Sequence, residues 1–212
     1  MRQKRVPGRS SSRVRRSGGF CAAVASKQGD HTVTARKYFP IALFIGIQAF
    51  VIQIVDQALH SHVPPAGNGG FGWIAFQAWA VYFMAGGTTK GGVRSFIGYF
   101  IGMVASIAIL AGSGIVGTLG FYAAPIVLLI LVPIILYLDI APDLLSFVPA
   151  VFVGAGVFFG MMTYVPGATF TNVLATESIY CVLGLIFGWA TIAFRIWYEG
   201  RFVRPASTGI EQ

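Results

Sequence analysis

Chemistry in this chain of 212 residues would have to come from few side chains, and the densest collection is the connection Gly86-Gly-Thr-Thr-Lys-Gly-Gly92, with Arg94 a turn further on. Glycines let backbone N–H groups turn toward a ligand, a helix start adds partial positive charge, and Lys90 and Arg94 add full charges. Gly86, Gly87, Lys90, Gly91 and Arg94 therefore form a candidate site for an anion or small solute. The stretch is not a P-loop, because the glycine spacing and the Lys-Ser/Thr pair are absent, so nucleotide binding is not supported. The plainer reading, which we prefer, is a tight turn whose two cations orient the protein in a membrane.

A second set is a candidate polar path of Gln48, Gln53 and Asp56, polar groups inside an otherwise apolar run and costly there unless they face protein or water. Gln53 and Asp56 share a helical face, with His60 a turn beyond. Asp56, His60 and His62 have the chemistry of a divalent-metal or proton site. Solvated residues at a membrane surface are the simpler account, and no metal is expected. Glu177 reads as a favourable charge just before a helix start, and Asp143, following Pro142, as an N-cap. Cys21 and Cys181 have no metal spacing and are read as unpaired. With no Ser/His/Asp set, no paired intramembrane carboxylates and no HExxH, neither an enzyme nor a cofactor is expected.

The elements that would carry these residues are apolar. The chain is 56% hydrophobic and 10% charged, with a mean hydropathy of +0.74, where soluble domains carry about a quarter charged residues. Six apolar segments follow one another: Phe39 to Leu59, Phe71 to Ala85, Ser95 to Gly112, Phe121 to Leu138, Leu144 to Met162 and Ile179 to Trp197. A span of the roughly 30 Å hydrocarbon layer needs about 20 helical residues, so the second is short, tilted or broken. The fold class expected is an all-α, polytopic membrane protein of about six transmembrane helices. Residues 1–37 would form a basic disordered tail, 38–198 the membrane domain and 199–212 a C-terminal tail.

Ten of the fifteen Lys and Arg residues lie in the first 37 positions and the rest at Lys90, Arg94 and from Arg195 onward. The connections at 60–70, 113–120 and 163–178 have none. The positive-inside rule then places both termini in the cytoplasm. The net charge of +8 belongs to the tail, which suits an anionic lipid surface, and no nucleic-acid partner is expected. The Arg- and Ser-rich start also has the composition of an organellar transit peptide, and a translation start nearer Val33 is a third option; no cleaved signal is expected.

Gly98-Tyr-Phe-Ile-Gly102 followed by Ala105-Ser-Ile-Ala108 nearly superimposes on Gly184-Leu-Ile-Phe-Gly188 followed by Ala190-Thr-Ile-Ala193. Three helices repeated as three would invert the second copy, a 3+3 inverted repeat of the kind many transporters use. Small-xxx-small spacing is also a generic packing device, and that plainer reading is preferred. Gly98, Gly102, Gly156, Gly160, Gly184 and Gly188 are the candidate helix-packing residues, within the chain or in a homo-oligomer. Pro125, Pro133 and Pro149 are expected to kink their helices.

The stretch Phe147-Val-Pro-Ala-Val-Phe-Val-Gly-Ala155, the later Leu183-Gly-Leu-Ile-Phe-Gly188 and the Gly86-Gly-Thr-Thr-Lys-Gly91 turn together resemble the YcdZ-like bacterial inner-membrane proteins, a domain of unknown function, over Phe39 to Trp197. The long basic tail and the connection around Thr163 to Thr176 depart from that pattern. The resemblance implies a bacterial inner membrane and brings no substrate or catalytic residue. The functional expectation is a small-solute channel or transporter-like protein, with a non-transporting accessory subunit or scaffold as the alternative. So few intramembrane charges favour passive permeation of a neutral or anionic solute over ion-driven transport.

Overall fold

The computed structural model describes residues 35–59, 61–65 and 70–202, and the chain divides into two units, 1–38 and 39–212. The readings of the basic tail, of Cys21, of His60 and of the segment after Phe202 lie outside the described residues. The second unit carries the apolar helices.

Apolar composition and the scarcity of turn residues within each run produce six α-helices: α1 (Ala35–Leu59), α2 (Gly72–Met84), α3 (Thr89–Ile115), α4 (Ala123–Leu136), α5 (Val148–Tyr164) and α6 (Phe170–Phe202). Two 3-10 turns, Gly117–Tyr122 and Tyr137–Ile140, flank α4. No strand occurs among the described residues. Four segments are long and apolar enough to cross a membrane: Lys37–Leu59, Thr89–Ile115, Gly117–Ile140 and Phe170–Phe202. At 13 and 17 residues, α2 and α5 are shorter.

Helix α3 starts at Thr89, six residues ahead of the Ser95 expected, and two further boundaries that differ from the sequence reading move candidate residues. Helix α6 starts at Phe170 rather than near Ile179, so Glu177 lies inside it and not ahead of it. The polar run Thr169-Phe-Thr-Asn reads as a loop, yet Thr169 Oγ1 accepts from the Asn172 N–H at 3.3 Å and caps the first turn. Helix α5 starts at Val148, not Leu144, with Pro149 in its first turn, where proline is tolerated. Asp143 is consequently not its N-cap; it sits in a turn closed by Leu145 N–H to Pro142 O at 2.8 Å. Pro125 likewise falls in the first turn of α4, and of the three prolines expected to kink a helix only Pro133 is interior. Four residues beyond it the helix tightens into the Tyr137–Ile140 3-10 turn.

Two parallel helix pairs dominate the packing: α3 lies along α5, and α2 along α6. Glycine makes both close. A Cβ at Gly98 would stand 2.8 Å from Ala150 Cβ and 3.0 Å from the Phe147 carbonyl, and one at Gly102 would overlap the Val151 carbonyl. On the other pair, a Cβ at Gly184 would overlap the Ala75 carbonyl and one at Gly188 would stand 2.8 Å from the Tyr82 ring. Such contacts bring backbones together and gain dispersion energy without needing an apolar driving force. The glycine of α5 that joins this packing is Gly154, against the Tyr99 carbonyl, and not Gly156 or Gly160, where no neighbouring helix among the described residues comes within 4 Å of a Cβ position. At about 100° per residue, Gly156 and Gly160 lie roughly 200° and 240° around α5 from Gly154, on its outer side.

Helix α1 runs antiparallel to α6, with Phe44 stacked on Phe194 at a 4.0 Å centroid separation. Helix α4 returns along α3, where Gly112 admits Val127. The core joins Ile52, Ile74, Ala78, Tyr99, Met103, Phe158 and Tyr180.

Candidate functional site

At one end of the bundle the turn between α2 and α3 meets the connection between α4 and α5. Gly86 and Gly87 have φ of 89° and 64°, which only glycine adopts without strain, and they reverse the chain in two residues. The glycine N–H donors of this turn are already used. Gly86 N–H bonds Phe83 O, Gly87 N–H bonds Tyr82 O, Gly92 N–H bonds Thr88 O, and Gly91 N–H bonds the N-cap oxygen Thr88 Oγ1 at 3.0 Å. The cations are engaged too: Lys90 Nζ lies 2.5 Å and Arg94 Nη1 3.1 Å from the two carboxylate oxygens of Asp143. Arg94 also donates to Ser146 Oγ at 3.2 Å and lies over the Phe147 ring at 5.3 Å. The candidate anion turn of Gly86, Gly87, Lys90, Gly91 and Arg94 is thus an internal ion-paired clasp, in which Asp143 holds the place an external anion would take. The Lys90 ammonium hydrogen-bonded to it, helped by Arg94, keeps the Asp143 carboxyl below its ordinary range. Lys90 and Asp143 are more than half exposed, so solvent weakens the link.

The candidate polar path resolves into two buried anchors and one outward residue. Gln48 donates to Phe187 O at 3.1 Å and accepts from Thr191 Oγ1 at 2.6 Å, tying α1 to α6. Asp56 is 1% exposed, and its Oδ1 accepts from Tyr180 Oη at 2.6 Å and from the Phe71 N–H at 3.0 Å. That joins α1, α6 and the start of α2. Gln53 is exposed and lies beside Gly72, so it does not continue a path. Asp56 is turned into the core and His62 is exposed with Ser61, so those two do not converge on a metal. Among the described residues no group of three or more His, Cys, Asp or Glu could hold one.

Sequence reasoning missed Glu177. It is fully buried, and neither carboxylate oxygen has a hydrogen-bond partner. Tyr99 of α3 and Cys181, one turn along α6, are its electrostatic neighbours. Tyr99 is fully buried as well, with its hydroxyl unpartnered. Thr176, the preceding residue, donates to the Pro64 carbonyl, which fixes this turn of α6 against the connection after α1. The signal lay in spacing: Val173, Thr176, Glu177, Tyr180, Cys181, Gly184, Gly188 and Thr191 recur three or four residues apart and are all buried.

An all-helical bundle with long apolar helices, no convergent catalytic set among its described residues and buried polar groups between its helices has the character of a membrane protein. Residues 41–195 match the family described as a protein of unknown function, DUF1097, and the chain belongs to that family. No curated protein and no solved structure matches it.

Proposed function

We propose that this chain is a small-solute channel or transporter-like protein, without chemistry of its own on the solute, that crosses a bacterial inner membrane six times as two inverted three-helix halves. The observation that carries the reading is the exchange of partners between halves. Helix α3 of the first half packs on α5 of the second, and α6 of the second packs on α2 of the first. Swapping α2 with α5 and α3 with α6 converts one pair into the other. The glycine positions agree: Gly98 meets the carbonyl of Phe147 and the Cβ of Ala150, and Gly184 meets the carbonyl of Ala75 and the Cβ of Ala78. Each pair is thus a carbonyl followed by a Cβ three residues on. The two helices shorter than a full membrane span, α2 and α5, stand at matching places, which is where inverted-repeat transporters put their solute path.

From residue 39 on, the described Lys and Arg residues are Lys90, Arg94, Arg195 and Arg201, and all lie at one end of the bundle. This supports a cytoplasmic placing of that end and of both termini. The alternative, a non-transporting accessory subunit or scaffold, draws on the outward Gly156 and Gly160 of α5, a surface suited to a second copy or another helix. Swelling of proteoliposomes in a panel of small neutral solutes and organic anions decides between them. Permeability above that of empty liposomes is expected from the first reading, and a flat response from folded protein favours the second.

A further inference from the structure

Three features of the core remain without a role: the Glu177 carboxylate, the Tyr99 hydroxyl, and their position between the two halves. Tyr99 belongs to α3 of the first half and Glu177 to α6 of the second. Glu177 stands seven residues into α6, about 10 Å from its start at the 1.5 Å rise of a helix. An ionised carboxylate enclosed in an apolar interior needs a counter-charge or hydrogen-bond donors. Glu177 has neither among the described residues, since both oxygens are unpartnered and the ion pairs Lys90–Asp143, Arg94–Asp143 and Arg195–Glu199 all lie at the basic end. The other elements packed on α6 bring no compensating group. Their cations, Lys37 of α1 and Lys90 and Arg94 of α3, lie at the basic end. Away from it their titratable residues are Tyr99 from α3, Tyr82 from α2, the exposed Tyr164 from α5, and Asp56 from α1, which is occupied by Tyr180 and Phe71, and the connection after α1 adds His62, exposed and bonded to Ser61. With Cys181 and Tyr180 on α6 itself, the surroundings hold only groups that are neutral or negative.

A metal ion is a poor fit, because no third ligand of the His, Cys, Asp or Glu kind joins Glu177 among the described residues. A bulky organic cation requires space around a side chain that is 0% exposed. A proton supplies the positive charge and requires no volume. We propose that Glu177, with Tyr99 beside it, is a proton-binding site at the interface of the two halves. The carboxylate takes one proton from hydronium, whose O–H bond breaks to leave water as the carboxyl O–H forms, and the reverse step returns it, a net transfer of one positive charge with no change of oxidation state. Coupling of that proton to solute movement rests on the transporter reading. It also reverses the expectation that this chain is too poor in intramembrane charge for ion-driven transport.

Infrared difference spectroscopy on the reconstituted full chain tests the site directly, by following the protonated-carboxyl C=O stretch as pH is stepped in wild type, Glu177→Gln and Tyr99→Phe. The expected result is a band that disappears on alkalinisation in wild type, is missing from Glu177→Gln, and is shifted in frequency in Tyr99→Phe. Glu177→Gln preserves shape and carries no charge, and circular dichroism checks that it is helical. Identical difference spectra in wild type and a folded Glu177→Gln at every pH overturn the proposal, whatever the flux assay shows. A titrating Glu177 band in a protein that passes no solute keeps the proton site and removes the transporter reading. Flux with no Glu177 band does the reverse.

Discussion

The same substitution, glycine to alanine, should have opposite effects at two positions of this bundle. At Gly102 the new Cβ would overlap the Val151 carbonyl and lie 2.7 Å from the Ala155 nitrogen, both backbone atoms that cannot rotate away. Helices α3 and α5 must then separate along the whole contact, and overpacking of this kind costs about 3 kcal/mol at the upper end of its usual range. Alanine returns roughly 1 kcal/mol through better helix propensity, leaving a net loss of about 2 kcal/mol. At Gly156 nothing lies within 4 Å of the Cβ position, so only the propensity gain of about 1 kcal/mol remains. The two variants should differ by about 3 kcal/mol, which for a chain of this size separates their midpoints by roughly 6–12 °C. Cys181 supplies the assay, because it is free and fully buried. In a Cys21→Ser background a thiol-reactive fluorophore reports its exposure as the bundle opens. Gly102→Ala and Gly156→Ala melting together, or in the reverse order, would falsify the assignment of the tight α3–α5 contact and of the outer face of α5. A Gly156→Ala loss seen only above the concentration at which copies associate would locate a self-association surface there.

The polar anchors give two more expected outcomes. Asp56→Ala leaves the Tyr180 hydroxyl and the Phe71 N–H buried without their acceptor and should cost about 2–6 kcal/mol, at roughly 1–3 for each orphaned donor; Tyr180→Phe should cost less, and a double variant little more than Asp56→Ala, as a double-mutant cycle of melting midpoints will show. The Asp143 clasp is pH-dependent in a defined direction: its carboxyl titrates below the ordinary range, so the stability it lends is present above the ordinary aspartate value and is lost as pH falls through the lowered one. Wild type should melt above Asp143→Asn at neutral pH and low salt, with the gap closing in acid or high salt; a gap independent of both would show that the ion pairs do not cause it.

What could be read from the residues alone was the part of the fold governed by composition. Long apolar runs specify helices whatever their partners, and the Gly98/Gly102 and Gly184/Gly188 spacing marks the two tight helix contacts because only glycine allows backbones that close. Partner choice was not legible, since nothing local to α3 says that α5 lies against it. The start of α6 was hidden because Thr169, Thr171, Asn172 and Thr176 have the composition of a loop, while the burial of Thr176 depends on a distant segment, at Pro64. The same masking moved Glu177 from the core to a helix start in the sequence reading. The ion pairs of the glycine turn were not legible for a related reason: Lys90 and Arg94 are visible in sequence, but the carboxylate that meets them comes from Asp143, about fifty residues on.

The proposed arrangement of two inverted halves would place equivalent turns on opposite faces of the membrane, and side-specific labelling tests that most directly. Thr89→Cys, after the α2–α3 turn, and Tyr164→Cys, before the α5–α6 turn, are both exposed positions. In sealed vesicles of known orientation, without Cys21, a membrane-impermeant maleimide should react with Tyr164→Cys from the outer side and with Thr89→Cys only after the cytoplasmic side is opened. Labelling of both from the same side would contradict the inverted pairing of the halves and the solute path drawn from it.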